Sequence, residues 1–370
     1  TGVDLAGRVV TTAAGETFEF DQLVVASGAH PVVPDWALRD DGTPYDTVGA
    51  VHTLDDGAEW LERFEAADPG AHVVIVGGGY VGIEVAEAAL RRGFGVTVLT
   101  RSRVLSSLEP ELSDRVALSM CEAGAEVVLD AEVTGFDIED GEVAGVHWTG
   151  GSRPCDLVVL ALGVLPSTEF LSGSGIALGP SGALMPDPRG RVTERVWAAG
   201  DCCDYVRRLT GDREYRPLGT HANKLGRVVG ENLAGGRLTF DGILETAITR
   251  FAAEDQYLEI ARTGLSREDA EAASFDPVAL VTEGTTTSGY LPEADSIALW
   301  VMADRVTRRL LGVQVVGGRG AGKRIDAAAA VLWAGGSVDD LAWMDLSYAP
   351  PFSTAWEVLQ VAARRVAERL

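Results

Sequence analysis

The segment Gly77-Gly-Gly79-Tyr80-Val81-Gly82 is the part of this sequence best suited to chemistry. Gly77 permits a tight turn, Gly79 lets the backbone approach a pyrophosphate, and Gly82 allows a helix to pack closely on a strand. A phosphate suits such a place because a helix N-terminus presents free N–H groups and the positive end of its dipole. The spacing alone is weak, since an ordinary glycine-rich turn can share it. The context is stronger: His72–Val76 reads as a buried strand, an amphipathic helix runs to about Arg92, and Val96-Thr-Val-Leu99 reads as a second strand. Strand, glycine turn, helix and strand together point to a dinucleotide site.

An NAD site usually carries Asp or Glu at the end of the second strand, about 20 residues on, to accept from the ribose hydroxyls. Here that position is Thr100, followed by Arg101-Ser102-Arg103. No carboxylate repels a 2′-phosphate and two guanidiniums can pair with it, so NADPH is expected ahead of NADH. The alternative is that both arginines are solvated loop residues. Glu87 precedes Arg91 by four residues and reads as a surface helix pair. Glu84 has no such partner. It is either a group near the nicotinamide end or a solvated acid favouring the helix dipole.

The elements that position these groups come from an internal repeat. Asp21-Gln-Leu-Val-Val-Ala26-Ser27-Gly28-Ala-His-Pro31 aligns without gaps on Asp156-Leu-Val-Val-Leu-Ala-Leu-Gly163-Val-Leu-Pro166. Each is an acid, a buried parallel strand, then a glycine turn closed by proline. Residues 3–20 and 136–155 precede them, both reading as β-meanders. The fold class is therefore α/β, with two Rossmann-like nucleotide-binding domains of the three-layer ββα kind. The glycine motif stands farther ahead of Asp156 than any residue stands ahead of Asp21. The first domain is thus expected to lack its front half. Either the chain is a fragment or it is a shortened protein whose first domain has changed; Thr1 opens in mid-pattern without Met, which favours missing sequence upstream.

Val196-Trp-Ala-Ala-Gly200-Asp201 is a short strand ending in Gly-Asp. Ligands of doubly wound sheets meet the carboxyl ends of strands, so Asp201 is a candidate acceptor for a polyol or ribose hydroxyl; the competing role is to cap a helix at about 220–234. Cys202 and Cys203 lack metal-ligand spacing and read as buried bystanders. His221 reads as a satisfied or solvated histidine. After about residue 243 the texture changes to antiparallel strands at 260–264, 296–301 and 310–316, with helices at about 325–334 and 353–368, a C-terminal α+β domain. The expected division is 1–48 with 170–242, then 49–169, then 243–370.

The chain of 370 residues has 31 basic and 55 acidic side chains, a net charge of −24. That balance argues against non-specific binding to nucleic acid or an anionic membrane. No apolar run approaches the ~18 residues of a membrane span. Four cysteines are too few for a disulfide scaffold, and a reducing cytoplasm is the expected setting.

On these residues the chain resembles the flavin-dependent pyridine nucleotide–disulfide oxidoreductases over nearly its whole length. Gly77–Glu84 looks like the family's NAD(P) motif, Ala26-Ser27-Gly28 and Ala161-Leu-Gly163 like its repeated strand ends, and Ala199-Gly200-Asp201 like its FAD ribityl and pyrophosphate segment. Asp345-Leu-Ser-Tyr348-Ala-Pro-Pro-Phe-Ser353, supported by Lys323-Arg-Ile-Asp326, resembles the dimerisation domain of the single-cysteine branch, which includes coenzyme A disulfide reductases, NADH oxidases and NADH peroxidases. The resemblance implies FAD, a homodimer, and transfer of reducing equivalents from NADPH through FAD to a disulfide, persulfide or oxygen-type acceptor. It implies that Tyr80 covers the flavin, and that Tyr290 and Tyr348 reach the partner's active site, unless they serve interface packing alone. The resemblance assigns the family's first glycine motif and its redox cysteine to the region before Thr1, and none of the four cysteines present matches that cysteine. Without that motif flavin binding by the chain as given is expected to be weak or lost, while NADPH binding by residues 50–170 is expected to survive. Two other readings stay open: a non-catalytic NADPH-binding dimeric module, and a cysteine-independent electron-transfer flavoprotein.

Overall fold

The structure, a computed structural model, describes residues 2–370. They gather into two compact units, one of residues up to 30 with 164–243, the other of 31–163 with 244–370.

The second unit is built on a five-stranded parallel sheet, in the order Val48–Ala50, Leu157–Leu160, His72–Val76, Gly95–Leu99 and Ala125–Val128. Val73, Val74 and Ile75 are wholly buried, as an apolar run with both faces covered requires. One face carries the antiparallel meander Val133–Glu139, Glu142–Trp148 and Gly151–Pro154. Its Val143 and Val146 share a core with Val74, Val76, Val158 and Leu160. Helices Tyr80–Leu90 and Pro110–Glu122 contact the sheet strands, completing the three layers. The C-terminal part of the same unit is a five-stranded antiparallel sheet: Ala247–Ala253, Gln256–Gly264, Leu310–Gly317, Ser296–Asp304, Pro277–Thr285. Helices Ile325–Ala334 and Val358–Ala367 pack on it.

The first unit holds the meander Gly2–Asp4, Val9–Thr11 and Thr17–Glu19, the parallel pair Leu23–Val25 with Val196–Ala198, and the helix Gly219–Leu233. Val25, Trp197, Ala198, Cys202, Cys203, Leu225 and Val229 belong to its core. The repeat is visible in the backbone, since Gly28 and Gly163 both turn left-handed, at φ +71° and +91°. The matched acids differ in use. Asp156 accepts the His72 N–H at 2.7 Å, whereas Asp21 is exposed and only 3.9 Å from Arg8.

Two helix boundaries need correction. The motif helix ends at Leu90 rather than Arg92, because Gly93 takes φ +81° and turns the chain. The last helix begins at Val358 rather than 353, capped by the Glu357 carboxylate on the Leu359 N–H. The helix Leu54–Ala66 was not foreseen, although Thr53 and Asp56 form a capping box at its start. Among the described residues, no helix is long and apolar enough to cross a membrane.

Candidate dinucleotide and flavin sites

In the second unit the glycine turn has the shape its spacing implies. A Cβ on Gly77 would lie 2.2 Å from the Ala161 carbonyl oxygen, and one on Gly82 would lie 2.0 Å from the Gly77 carbonyl oxygen. Both positions therefore require glycine on steric grounds. Gly79 differs: a Cβ there would meet no atom within 4 Å. It is the exposed N-cap of the motif helix, and no side chain caps that end. Open space over uncapped N–H groups is the cradle a pyrophosphate needs. Tyr80 beside it is half-buried and Val81 exposed, while the turn ending at Gly163 adjoins Gly77 through Ala161.

The loop carrying the arginines is folded back on this turn. Leu105 donates its N–H to the Gly78 carbonyl at 2.6 Å, Thr100 is buried, and its Oγ1 reaches the Arg103 carbonyl at 3.4 Å. Arg101 is exposed. Arg103 is half-buried, and its Nε is shielded from solvent without a hydrogen-bond partner, as is Ser107 Oγ in the same loop. A buried donor left unsatisfied costs about 1–3 kcal/mol, so a site holding one fits an incoming acceptor.

Both helix acids gain partners from far along the chain. Glu84, without a partner on its own helix, accepts from Thr249 Oγ1 at 2.6 Å. Glu87 does pair with Arg91, at 3.4 Å, but it is buried instead of lying at the surface, and it also accepts from Arg250 Nη2 and the Ala252 N–H, each at 2.8 Å. Thr249 and Arg250 escape sequence reading because they lie more than 160 residues away, on a strand of the C-terminal sheet.

In the first unit, the turns after the two parallel strands adjoin. Cys202 Sγ reaches the Val25 carbonyl at 3.6 Å, and Ser27 and Gly28 lie against the same sulfur. Ser27 Oγ donates to the Ser167 carbonyl at 2.6 Å. Gly200 turns at φ +95°. Tyr205 donates to the Gly200 carbonyl at 3.0 Å and Tyr215 to that of Asp201 at 2.8 Å. Asp201 Oδ1 is buried without a partner, and the helix Gly219–Leu233 is capped by no side chain. The capping role for Asp201 therefore fails. An orphaned carboxylate oxygen at a strand's carboxyl end instead fits a hydroxyl-bearing chain such as the ribityl of a flavin.

All four thiols are free. Cys202 and Cys203 are fully buried with sulfurs 3.8 Å apart. The hydrogen bond from Cys203, helped by Ser27 and Gly28, lowers Cys202 to about 7, and the same contact with burial raises Cys203. Burial raises Cys155 to about 12. His221 is buried, with Nδ1 3.0 Å from the Arg216 carbonyl and its ring 5.2 Å from that of Tyr205. It is a satisfied core histidine. In the second unit Tyr290 and Tyr348 are exposed, on loops joined by the Ser288 N–H donating to the Pro350 carbonyl at 2.9 Å.

Comparison with known proteins agrees with this geometry. Residues 1–223 match the pyridine nucleotide-disulphide oxidoreductase family, and residues 256–359 match its dimerisation domain. The NAD(P)H sulfur oxidoreductase (CoA-dependent) of Pyrococcus furiosus is 35% identical over 364 residues, covering 96% of this chain and 79% of that protein. The coenzyme A disulfide reductase of Staphylococcus haemolyticus is 25% identical over 355 residues, 95% of this chain and 77% of the relative. The solved NAD-dependent persulfide reductase from A. fulgidus superposes with a TM-score of 0.90 at 30% identity, over all of this chain and 68% of its own. Glycine cradle, orphaned Asp201 and similarity over nearly all of this chain agree, and the chain belongs to the pyridine nucleotide-disulphide oxidoreductase family as a coenzyme A disulfide reductase-like flavoprotein oxidoreductase that uses FAD and a pyridine nucleotide.

Proposed function

We propose that the protein is an NADPH-preferring reductase of low-molecular-weight sulfur acceptors, disulfide or persulfide, working as a homodimer. The observation that carries the nucleotide preference is the loop at Thr100–Arg103, where no acid closes the strand and a sheltered Arg103 Nε awaits an acceptor. The names of the Pyrococcus and A. fulgidus relatives, a sulfur oxidoreductase and a persulfide reductase, support the acceptor class. A dimerisation-type domain supports the homodimer.

When bound, the nicotinamide supplies a hydride and the flavin relays its electron pair to the acceptor. The protein's own part is to bind and orient. The N–H groups above Gly79 hold the pyrophosphate, and Arg101 with Arg103 hold the 2′-phosphate. Tyr80 and Val81 stand in the first turn, where the nicotinamide half extends, and Thr249 fixes the Glu84 carboxylate. Ala26, Ser27, Gly28, Gly200 and Asp201 line the flavin's polyol chain. Tyr290 and Tyr348 face the acceptor site across the dimer, where a phenol can protonate a departing thiolate. We assign 1–48 with 170–242 to FAD, 49–169 to NAD(P)H and 243–370 to dimerisation.

The test is NADPH turnover with three acceptors: coenzyme A disulfide, inorganic polysulfide and dioxygen. Faster turnover of either sulfur compound than of dioxygen is expected. Turnover with dioxygen alone would overturn the acceptor assignment, and full-length protein that stays colourless after incubation with FAD would overturn the flavin site.

A further inference from the structure

Arg324 is joined to four groups on three separated stretches of chain. Its Nε donates to Glu357 Oε1 at 2.5 Å, and its Nη2 donates to the Thr286 carbonyl at 2.5 Å and the Phe352 carbonyl at 2.9 Å. Its Nη1 donates to the Gly320 carbonyl. The pair is sheltered, with side-chain exposures of 13% for Arg324 and 10% for Glu357. Thr286 opens the loop that carries Tyr290, Phe352 lies in the loop that carries Tyr348, and Glu357 caps the helix after it. The loops are also joined directly, through the Ser288 N–H to the Pro350 carbonyl at 2.9 Å and Ser288 Oγ to the Ser353 carbonyl at 3.3 Å. Tyr290 and Tyr348 themselves are exposed. The loop framework, not the phenols, carries the fixed contacts.

We propose that Arg324 is a positioning residue: its guanidinium clamps the two tyrosine loops into one fixed arrangement, and that arrangement sets how the phenols meet the acceptor. The inference rests on the acceptor-facing role given to Tyr290 and Tyr348. Only a planar fork with five N–H donors can serve a carboxylate and separate carbonyls at once. Lysine keeps the charge opposite Glu357 but cannot reach both loops, so Arg324→Lys loosens them without stranding a buried carboxylate.

The experiment compares the holoenzyme with Arg324→Lys, Tyr290→Phe/Tyr348→Phe and the triple variant. Hydrogen exchange is followed at 286–291 and 349–353, and kinetics with coenzyme A disulfide and NADPH. Arg324→Lys should quicken exchange in both loops and leave the helix Tyr80–Leu90 unchanged. It should lower kcat/KM for the disulfide roughly 10- to 100-fold, as misplacement by about an ångström does, with KM for NADPH unaltered. In the double-phenylalanine background the same change should cost less than about twofold, because residues acting through one another are non-additive. Unchanged loop exchange, or a fully additive loss, overturns the proposal. If Tyr290→Phe/Tyr348→Phe turns over the disulfide normally, the role of the tyrosines fails, and quickened exchange in Arg324→Lys still supports the clamp.

Discussion

Replacing Arg101 and Arg103 together by glutamine tests the 2′-phosphate site directly. Arg103 is half-buried and holds a solvent-shielded Nε with no partner. A charge-assisted hydrogen bond in such a place contributes about 1.5–3 kcal/mol. Arg101 is exposed, so its pairing is screened and contributes about 0–1 kcal/mol. The two sum to about 1.5–4 kcal/mol for NADPH and near zero for NADH, which lacks the phosphate. At 1.4 kcal/mol per tenfold, NADPH should bind roughly 10- to 700-fold more weakly. Calorimetric titration with each nucleotide at neutral pH reads both affinities. Raising the salt should erase the Arg101 share first, because exposed charges are screened over about 8–10 Å. Equal loss for NADPH and NADH would refute the assignment.

Other outcomes follow from the same geometry. Gly79→Ala, whose Cβ meets nothing within 4 Å, should melt like the parent yet lose dinucleotide binding in the same titration. Gly77→Ala, with a Cβ 2.2 Å from the Ala161 oxygen at φ +117°, should lower Tm as well. Glu87→Ala should destabilise by about 2–4 kcal/mol in denaturant unfolding, towards the lower end of the range for a broken buried pair because Arg250 can still reach water. In the full-length protein, Asp201→Ala should release FAD, read as loss of the yellow colour, while circular dichroism is unchanged. Burial, with the Arg153 charge, lowers the pKa of His72. Stability from this group is present above the unfolded value near 6.5 and is lost as pH falls towards the folded value. His72→Gln should flatten the decline in Tm as pH falls below about 6.5.

The strands around the glycine motif were legible because a buried parallel strand writes itself as an unbroken β-branched run, and His72–Val76 has the predicted bounds. The glycines were legible because sterics leave no alternative at Gly77 and Gly82. Helix ends were less so. Nothing local at residues 352–357 announces that the Phe352 carbonyl and the Glu357 carboxylate are drawn to Arg324. Glu87 was misread for the same reason: Arg91 stands four residues away in sequence, while the better partners, Arg250 and the Ala252 N–H, arrive through the tertiary fold. The orphaned Asp201 oxygen has no local signature either. Its meaning comes from the neighbouring Ser27–Gly28 turn, which the repeat located without revealing that the two would share Cys202.

The Glu87 junction bears on how such proteins can be recombined. A chimera cut just ahead of Leu244 and completed with another protein's C-terminal region would leave this carboxylate facing whatever residues replace Arg250 and the Ala252 amide. Grafts should therefore succeed when acid and guanidinium travel together and misfold when only one is moved. Transplanting the whole of 31–163 with 244–370 is the exchange that keeps both.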